Sequence, residues 1–440
     1  MVVKKIKVKI KNQKLSADKM SFGALIALVV GNLVGAGVFM LPSTLAPFKG
    51  VSLLGWLVTS MGAMILALIF AKLSAELPYT GGPHVYVKKA FGEKAGFFIG
   101  WGYWVMAWVS NSALVISIIG YFLPLMPEWF KDYGLYGELF ILISLTLFNL
   151  LGMRVTSIGE LVLTLLKVIP LIILPLFAFS SIDVTRLIDF QVEGGFLTSL
   201  NHVAFLTLWA FIGLETGTVP GTQVEKPIYT IPRAILAGTG IAMLIYILGT
   251  VSILGVVPGD VLISSKAPYA DMASAIFGGS WKVAVAIIAI IACVGTLHGW
   301  ILVVGRIPQG AAAEGLMPKV FGKTNKFGSP YIGILTSGIC TIPLIILSHQ
   351  ENLLKQFEFI IEVSVTLIFI VYLMCVLSYR KLLSEKRRLH NSEQVLSVAA
   401  LIFIFWAIWA TSLSTVFLSS LIFILGIPVY FWTKRDHKNS

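Results

Sequence analysis

Two ionisable residues sit inside otherwise apolar stretches, Lys167 in LLKVIPL and Glu215 in WAFIGLETGTVPG. A charged group far from water is costly, so each is read first as functional. An acid such as Glu215 can carry a proton or sense pH as its surroundings dry and wet. The competing reading is a structural hydrogen bond to nearby backbone, and for Lys167 a salt bridge that serves packing. His298 lies two residues before Trp300 and belongs to the one residue type that titrates near neutrality unperturbed. A lone helical histidine is more often a packing residue, and Glu362, near a helix end, can simply reach water; neither is assigned to a site. No HExxH or other His/Asp constellation appears, so no catalytic and no metal-ligating residues are named, and no cofactor motif is present. Cys293, Cys340 and Cys375 lie in apolar runs without metal-ligand spacing and read as buried small residues.

Backbone groups are the other source of chemistry. Gly31, Gly35 and Gly37 cluster in VVGNLVGAGVFMLP, and Gly213, Gly217 and Gly221 in TLWAFIGLETGTVPG. Glycine lets backbone leave helical geometry, and non-helical backbone inside a bilayer is tolerated where it is buried or lines a cavity. A helix broken there offers N–H groups from one half and carbonyls from the other, which bind a carboxylate and an ammonium respectively. Close helix packing is the alternative, since Gly31 and Gly35 form a GxxxG.

The elements that must hold these groups are membrane helices. The chain has 440 residues, 57% hydrophobic and 12% charged, with a mean hydropathy of +0.90. A soluble domain carries about a quarter charged residues. Apolar runs near the length that crosses a bilayer fall at 22–45, 54–71, 95–123, 135–151, 159–179 and 200–220. Six more fall at 232–257, 281–303, 331–347, 359–377, 395–413 and 416–432. Breaks in the first and sixth suit two inverted five-helix repeats with a site at the midplane. The fold expected is an all-α membrane protein of about twelve transmembrane helices: those two repeats, plus two extra helices. Residues 22–379 would form the core, 380–394 a cytoplasmic loop, 395–432 the two added helices and 433–440 a cytoplasmic tail. The lysine-rich residues 1–21 read as a solvated basic arm; the apolar run that follows is too long for a signal peptide.

Charge sets the orientation. Lys72, Lys88, Lys89, Lys94, Arg154, Lys226, Arg233, Arg306, Arg380, Arg387 and Arg388 fall on the N-terminal side of the membrane, with many other cations. The opposite side keeps few, among them Lys49, Arg186 and Lys282. The positive-inside rule then places both termini in the cytoplasm. Lys72 and Glu76 are spaced i,i+4 and read as a structural pair. The net charge of +12 comes with no basic stripe of interleaved aromatics, so the partner is the lipid bilayer and not nucleic acid.

GNLVGAGVFMLP, LWAFIGLE, VEKPIYTIPRA and GRIPQGAAAEGLMPKVF together resemble the amino acid–polyamine–organocation transporters, most of all the bacterial arginine/agmatine and putrescine/ornithine antiporters. The resemblance runs from about Phe22 to Trp432. It implies a secondary transporter of amino acids or polyamines in a bacterial inner membrane, working by exchange or proton-linked alternating access. A proton/neutral amino acid symporter is the rival, and a non-transporting sensor on the same fold is the reading from another class. The resemblance also implies that Ala36 and Gly37 bind a carboxylate through backbone amides, while Leu33, Trp209 and Ile212 face an amine. Tyr103, Ala107, Asn111 and Ser364 would line the pocket, with Trp209 and Trp300 as aromatic gates. The antiporter's serine is replaced by Ala36, removing a hydroxyl contact, and Met106 replaces a smaller residue and would narrow the distal end. Glu215 matches the family's glutamate, and Lys167 a lysine whose ammonium stands where other members hold sodium. The last two helices would offer a homodimer interface.

Overall fold

In the computed structural model, which describes residues 19–77, 81–151, 157–349, 352–409 and 411–438, the apolar runs are helices. Ten helical stretches among the described residues are long and apolar enough to cross a bilayer, and the shorter Gly134–Leu150 and Tyr331–Leu347 bring the crossings to twelve. Seventeen residues in Gly134–Leu150 rise about 26 Å, near the bilayer's hydrocarbon thickness. All but the last three residues of the basic arm, 19–21, lie outside the described residues, as does Arg154.

The first crossing is split into α1 (Phe22–Leu33) and α2 (Ala36–Leu45). There follow α3 (Val51–Glu76), a short α4 (Pro83–Phe91), α5 (Glu93–Phe122), α6 (Gly134–Leu150) and α7 (Ser157–Ala178). The sixth crossing begins as α8 (Phe196–Leu208) and continues as 3-10 turns through Thr218. Two α-helical halves were expected there, and only the first is α-helical. Next come α9 (Pro227–Val256), a short α10 (Pro268–Phe277), α11 (Gly279–Ala313), α12 (Tyr331–Ser348), α13 (Leu353–Lys386), α14 (Asn391–Trp409) and α15 (Leu413–Lys438). The tenth crossing therefore runs on to Lys386, well beyond its apolar run, as polar side chains continue it past the bilayer.

Corresponding helices of the two repeats pack on each other: α3 on α9, α5 on α11 and α6 on α12. The short helices show the same repeat. α4 and α10 each open on a proline and close on a glycine, Gly92 or Gly278, that also starts the next helix. Gly92 (φ 86°, ψ 179°) and Gly278 (φ 97°, ψ 168°) hold a conformation that side chains resist. That is why both sequences read Pro, then an apolar turn, then Phe-Gly. The pattern was not anticipated, because helices this short do not register as crossings.

At the end of the bundle where the described chain begins, Met20 pairs with the segment after the sixth crossing: its N–H donates to Gln223 O at 2.9 Å and its carbonyl accepts from Glu225 N at 3.1 Å. Ion pairs Lys88–Glu314 (2.8 Å), Lys386–Glu76 (2.7 Å), Arg387–Glu393 (2.7 Å) and Lys72–Glu393 (3.8 Å) gather at the same end. Lys72 and Glu76 thus pair with other helices and not with each other; lysine preceding glutamate is the weaker i,i+4 order. At the opposite end Lys49 pairs with Asp189 at 2.8 Å, and this hydrogen bond holds the Asp189 carboxyl below its usual range. Cys293 and Cys375 are buried, whereas Cys340 is exposed on α12, contrary to the reading of all three as buried.

The glycine joint has a direct test. Gly278→Ala should lower stability by about 1–3 kcal/mol through backbone strain alone, since nothing stands within 4 Å of a Cβ there. Gly279→Ala, equally open but inside the helix, should not. Thermal midpoints of the purified protein in detergent check this; equal midpoints for the two variants would contradict it.

Candidate functional site

Breaking a helix in mid-membrane leaves four carbonyls at the end of the first half without intrahelical partners. Val30 O still accepts from Val34 N at 2.8 Å, but the next four carbonyls do not continue the ladder. Each is met by a side chain from another helix. Lys167 of α7 donates to Gly31 O at 2.5 Å, and Trp300 Nε1 of α11 to Asn32 O at 3.2 Å. Tyr246 of α9 donates to Leu33 O at 2.6 Å, and Thr296 of α11 lies 3.2 Å from Val34 O. Lys167 Nζ also reaches Thr296 Oγ1 at 2.9 Å, so its positive charge stands at the negative end of α1. Gly35 makes room for this: a Cβ there would lie 2.9 Å from Thr296 Cγ2.

The sixth crossing breaks at Ile212, which is extended, and Gly213, at φ 116°. The Gly213 N–H donates to Glu215 Oε2 at 3.1 Å, so the break's own glutamate satisfies it. Tyr372 of α13 donates to the same oxygen at 2.6 Å, and Tyr103 of α5 to Oε1 at 2.9 Å. Glu215 is fully buried, and its three hydrogen bonds tie the broken sixth crossing to two intact helices. Tyr246 ties the breaks to each other: its hydroxyl also lies 2.8 Å from Ala210 O, so one proton is shared between two carbonyls.

Between the breaks lies a cavity enclosing about 360 Å³ of empty space out to its mouth. The first crossing contributes Asn32, Leu33, Ala36 and Gly37, and the sixth crossing contributes Trp209, Ala210 and Ile212. α5 adds Ser110, Asn111 and Leu114, and α11 adds Thr296 and Trp300. No lining residue is charged. Ala36 and Gly37 open α2, and no side chain caps that helix start, so its first N–H groups face the space between the breaks. Three buried polar atoms in the lining have no partner: two donors, Asn32 Nδ2 and Trp209 Nε1, and one acceptor, Asn111 Oδ1. A ligand with an anionic and a cationic end would satisfy both kinds.

Of the residues named from the sequence, Leu33, Ala36, Gly37, Asn111, Trp209, Ile212 and Trp300 line this cavity. Tyr103, Ala107 and Ser364 are buried outside the lining, as are Glu215 and Lys167. The Leu33 carbonyl, expected to face an amine, holds Tyr246, and the Trp209 carbonyl accepts from Ile212 N at 3.0 Å. Met106 does not narrow the cavity; its sulfur lies 3.5 Å from Ser110 Oγ. Asn32, Ser110, Leu114, Ala210 and Thr296 line it without having been named, and only Asn32, beside Gly31, carried a signal in the sequence. His298 packs on Phe148 and bonds Asn149 at 3.0 Å, as a packing histidine does. Away from the cavity, His202, Glu358 and Glu362 bring three possible metal ligands within 4.8 Å of one another. His202 and Glu358 already pair at 2.9 Å.

The shared hydroxyl gives a prediction. Tyr246→Phe leaves two buried carbonyls short of their donor and should cost about 1–3 kcal/mol of stability. It should also lower ligand affinity, because both breaks lose their common anchor. A thermal midpoint equal to that of the unsubstituted protein would show that Tyr246 is not that anchor.

Residues 20–436 match the family model of amino acid permeases. The chain is 32% identical over 452 residues to a Bacillus subtilis protein described as "Putative arginine/ornithine antiporter", covering 94% of this chain and 95% of that one. It is 33% identical over 350 residues to the Escherichia coli cadaverine/lysine antiporter, covering 77% and 76% of the two. To the Escherichia coli putrescine transporter PotE it is 27% identical, covering 94% and 96%. A crystal structure of a manganese transporter mutant from Eremococcus coleocola shares the fold, with a TM-score of 0.61 at 11% identity over 96% of this chain. A split first crossing, a broken sixth crossing and a family match over almost the whole length agree: this chain belongs to the amino acid permease family of membrane transporters.

Proposed function

We propose that the chain exchanges cationic amino acids and polyamines across a bacterial inner membrane by alternating access around the cavity between the broken helices. The observation that carries this reading is the uncapped start of α2, opening into a cavity whose unpaired atoms are two donors and one acceptor. The N–H groups of Ala36 and Gly37, with Asn32 Nδ2 and Trp209 Nε1, suit a carboxylate. The indole faces of Trp209 and Trp300 and the Asn111 carbonyl oxygen suit a cation; an aromatic face contributes about 2 kcal/mol when desolvated. The relatives' names, with arginine, ornithine, lysine, cadaverine and putrescine among them, support the same substrate class.

Lys167 supports a cycle without sodium, since its ammonium already neutralises the carbonyl end of α1. That leaves Glu215, the buried acid beside the sixth break, as the group that couples transport to protons. The end bearing Lys88, Lys386 and Arg387 faces the cytoplasm on the positive-inside rule, which places both termini there. The exposed faces of α14 and α15, with Ile402, Phe405, Leu413 and Phe417, meet lipid or a second copy in a homodimer.

Proteoliposomes preloaded with ornithine, lysine, putrescine or cadaverine should take up labelled ornithine or lysine faster than empty ones. Uptake independent of internal substrate would contradict exchange. In the same vesicles Glu215→Gln should flatten the dependence of uptake on pH while sparing binding; an unchanged pH profile would remove Glu215 from coupling. For orientation, Ser392→Cys in a Cys340→Ser background should be labelled only from the cytoplasmic side, and Ser264→Cys only from the other. Reversed labelling would invert the topology.

A further inference from the structure

Behind Asn111 lies a second cavity that the site described above does not use. It is enclosed by α5, α6, α11 and α12 and holds about 210 Å³ of empty space. Asn111 lines both spaces and stands as the wall between them. The accessible room suits one group the size of water or of an ammonium.

Its polar atoms are unusual for so apolar a place. Asn111 and Thr146 are 4% and 7% exposed, and Asn111 Oδ1 and Thr146 Oγ1 have no hydrogen-bond partner. Buried polar atoms are rarely left so, because each forfeits the hydrogen bonds it had in water. Across from them, the Thr341 hydroxyl donates to the Ser337 carbonyl at 2.8 Å, with the Trp108 carbonyl at 3.3 Å, and keeps its lone pairs. The Ser337 hydroxyl oxygen already accepts from Trp104 Nε1 at 2.9 Å. Asn111, Thr146 and Thr341 thus each bring a side-chain oxygen to this lining. Gly338 keeps it open, since a Cβ there would lie 3.0 Å from Thr146 Cγ2 and Oγ1.

An alkylammonium carries three N–H donors and no acceptor, which matches three oxygens around a space of its own size. A guanidinium is planar and larger, with five donors in a fixed fork, and does not fit. No acid lines the cavity, so an arriving cation would be held by oxygen dipoles and would not be locked into an ion pair. We propose that this cavity is a subsite for the distal primary ammonium of the substrate, with Asn111 as the shared wall, so that lysine, ornithine and linear diamines are accepted over arginine. This rests on the reading of the main cavity as a site for cationic amino acids, and it deepens that reading.

The test compares lysine with norleucine, which has the same carbon chain but no terminal amine, binding to the purified full-length chain. The unsubstituted protein should bind lysine more tightly than norleucine and more tightly than arginine. Thr146→Val keeps the shape but removes the acceptor, and should cut the lysine-to-norleucine affinity ratio about tenfold, the worth of one hydrogen bond to a charged group. Thr146→Ser keeps the hydroxyl and should preserve the ratio. A packing defect would weaken both ligands together and leave the ratio unmoved. Should Thr146→Val not fold, Gly338→Ala, which crowds Thr146, must lower the same ratio. An unchanged ratio in a folded variant, or arginine binding as tightly as lysine, overturns the subsite while leaving transport of cationic amino acids intact. Failure of the unsubstituted chain to bind any dibasic ligand overturns both.

Discussion

Four consecutive carbonyls, Gly31 to Val34, have lost their helical partners in the middle of a membrane, and the rest of the structure is arranged around them. An unsatisfied peptide carbonyl in hydrocarbon costs several kcal/mol, so a broken helix cannot persist there alone. Here a lysine, a tryptophan, a tyrosine and a threonine on three other helices reach the four in order. The break is therefore a property of the bundle, and α1 cannot shift against α7, α9 or α11 without exchanging these bonds. The sixth crossing solves the same problem differently. Glu215 turns back onto the Gly213 N–H, and two tyrosines hold the carboxylate.

The two ends of the first break are treated unequally, and that asymmetry suits the site for recognition. Its carbonyl end is met by side chains of other helices and carries the positive charge of Lys167. Its N–H end, at Ala36 and Gly37, has no cap and opens on the cavity. A ligand carboxylate would complete the backbone there in the way the four side chains complete the carbonyls. The remainder of the ligand would then meet the Trp209 indole at the end of α8, the Trp300 indole on α11 and the Asn111 amide on α5.

Much of this was legible in the sequence. Glycine clusters in the first and sixth apolar runs marked both breaks, and Lys167 and Glu215 stood out because charge is rare in such runs. The other groups that satisfy the breaks were not legible. Tyr246, Tyr372 and Thr296 lie in apolar helices where tyrosine and threonine look like ordinary packing, and their roles arise from which helices meet. Tyr103 was named for the pocket, but its hydroxyl goes to Glu215 beside the sixth break and it stays outside the cavity lining. α4 and α10 went unseen because they are too short to cross a membrane, although their shared Pro-to-Phe-Gly pattern records the internal repeat. Lys72 and Glu76 show the limit of spacing arguments: each had a partner on another helix that local sequence does not reveal.

On this arrangement the exposed N–H groups of the first break would receive the substrate's carboxylate while the four carbonyls stay in the protein's own bonds. An experimental structure of the chain with bound lysine tests it most directly. The expected result is carboxylate oxygens within about 3 Å of the Ala36 and Gly37 nitrogens, with Lys167 still on Gly31 O and Tyr246 still on Leu33 O. A carboxylate bound elsewhere, or an α-ammonium that displaces Lys167 from the Gly31 carbonyl, would contradict it.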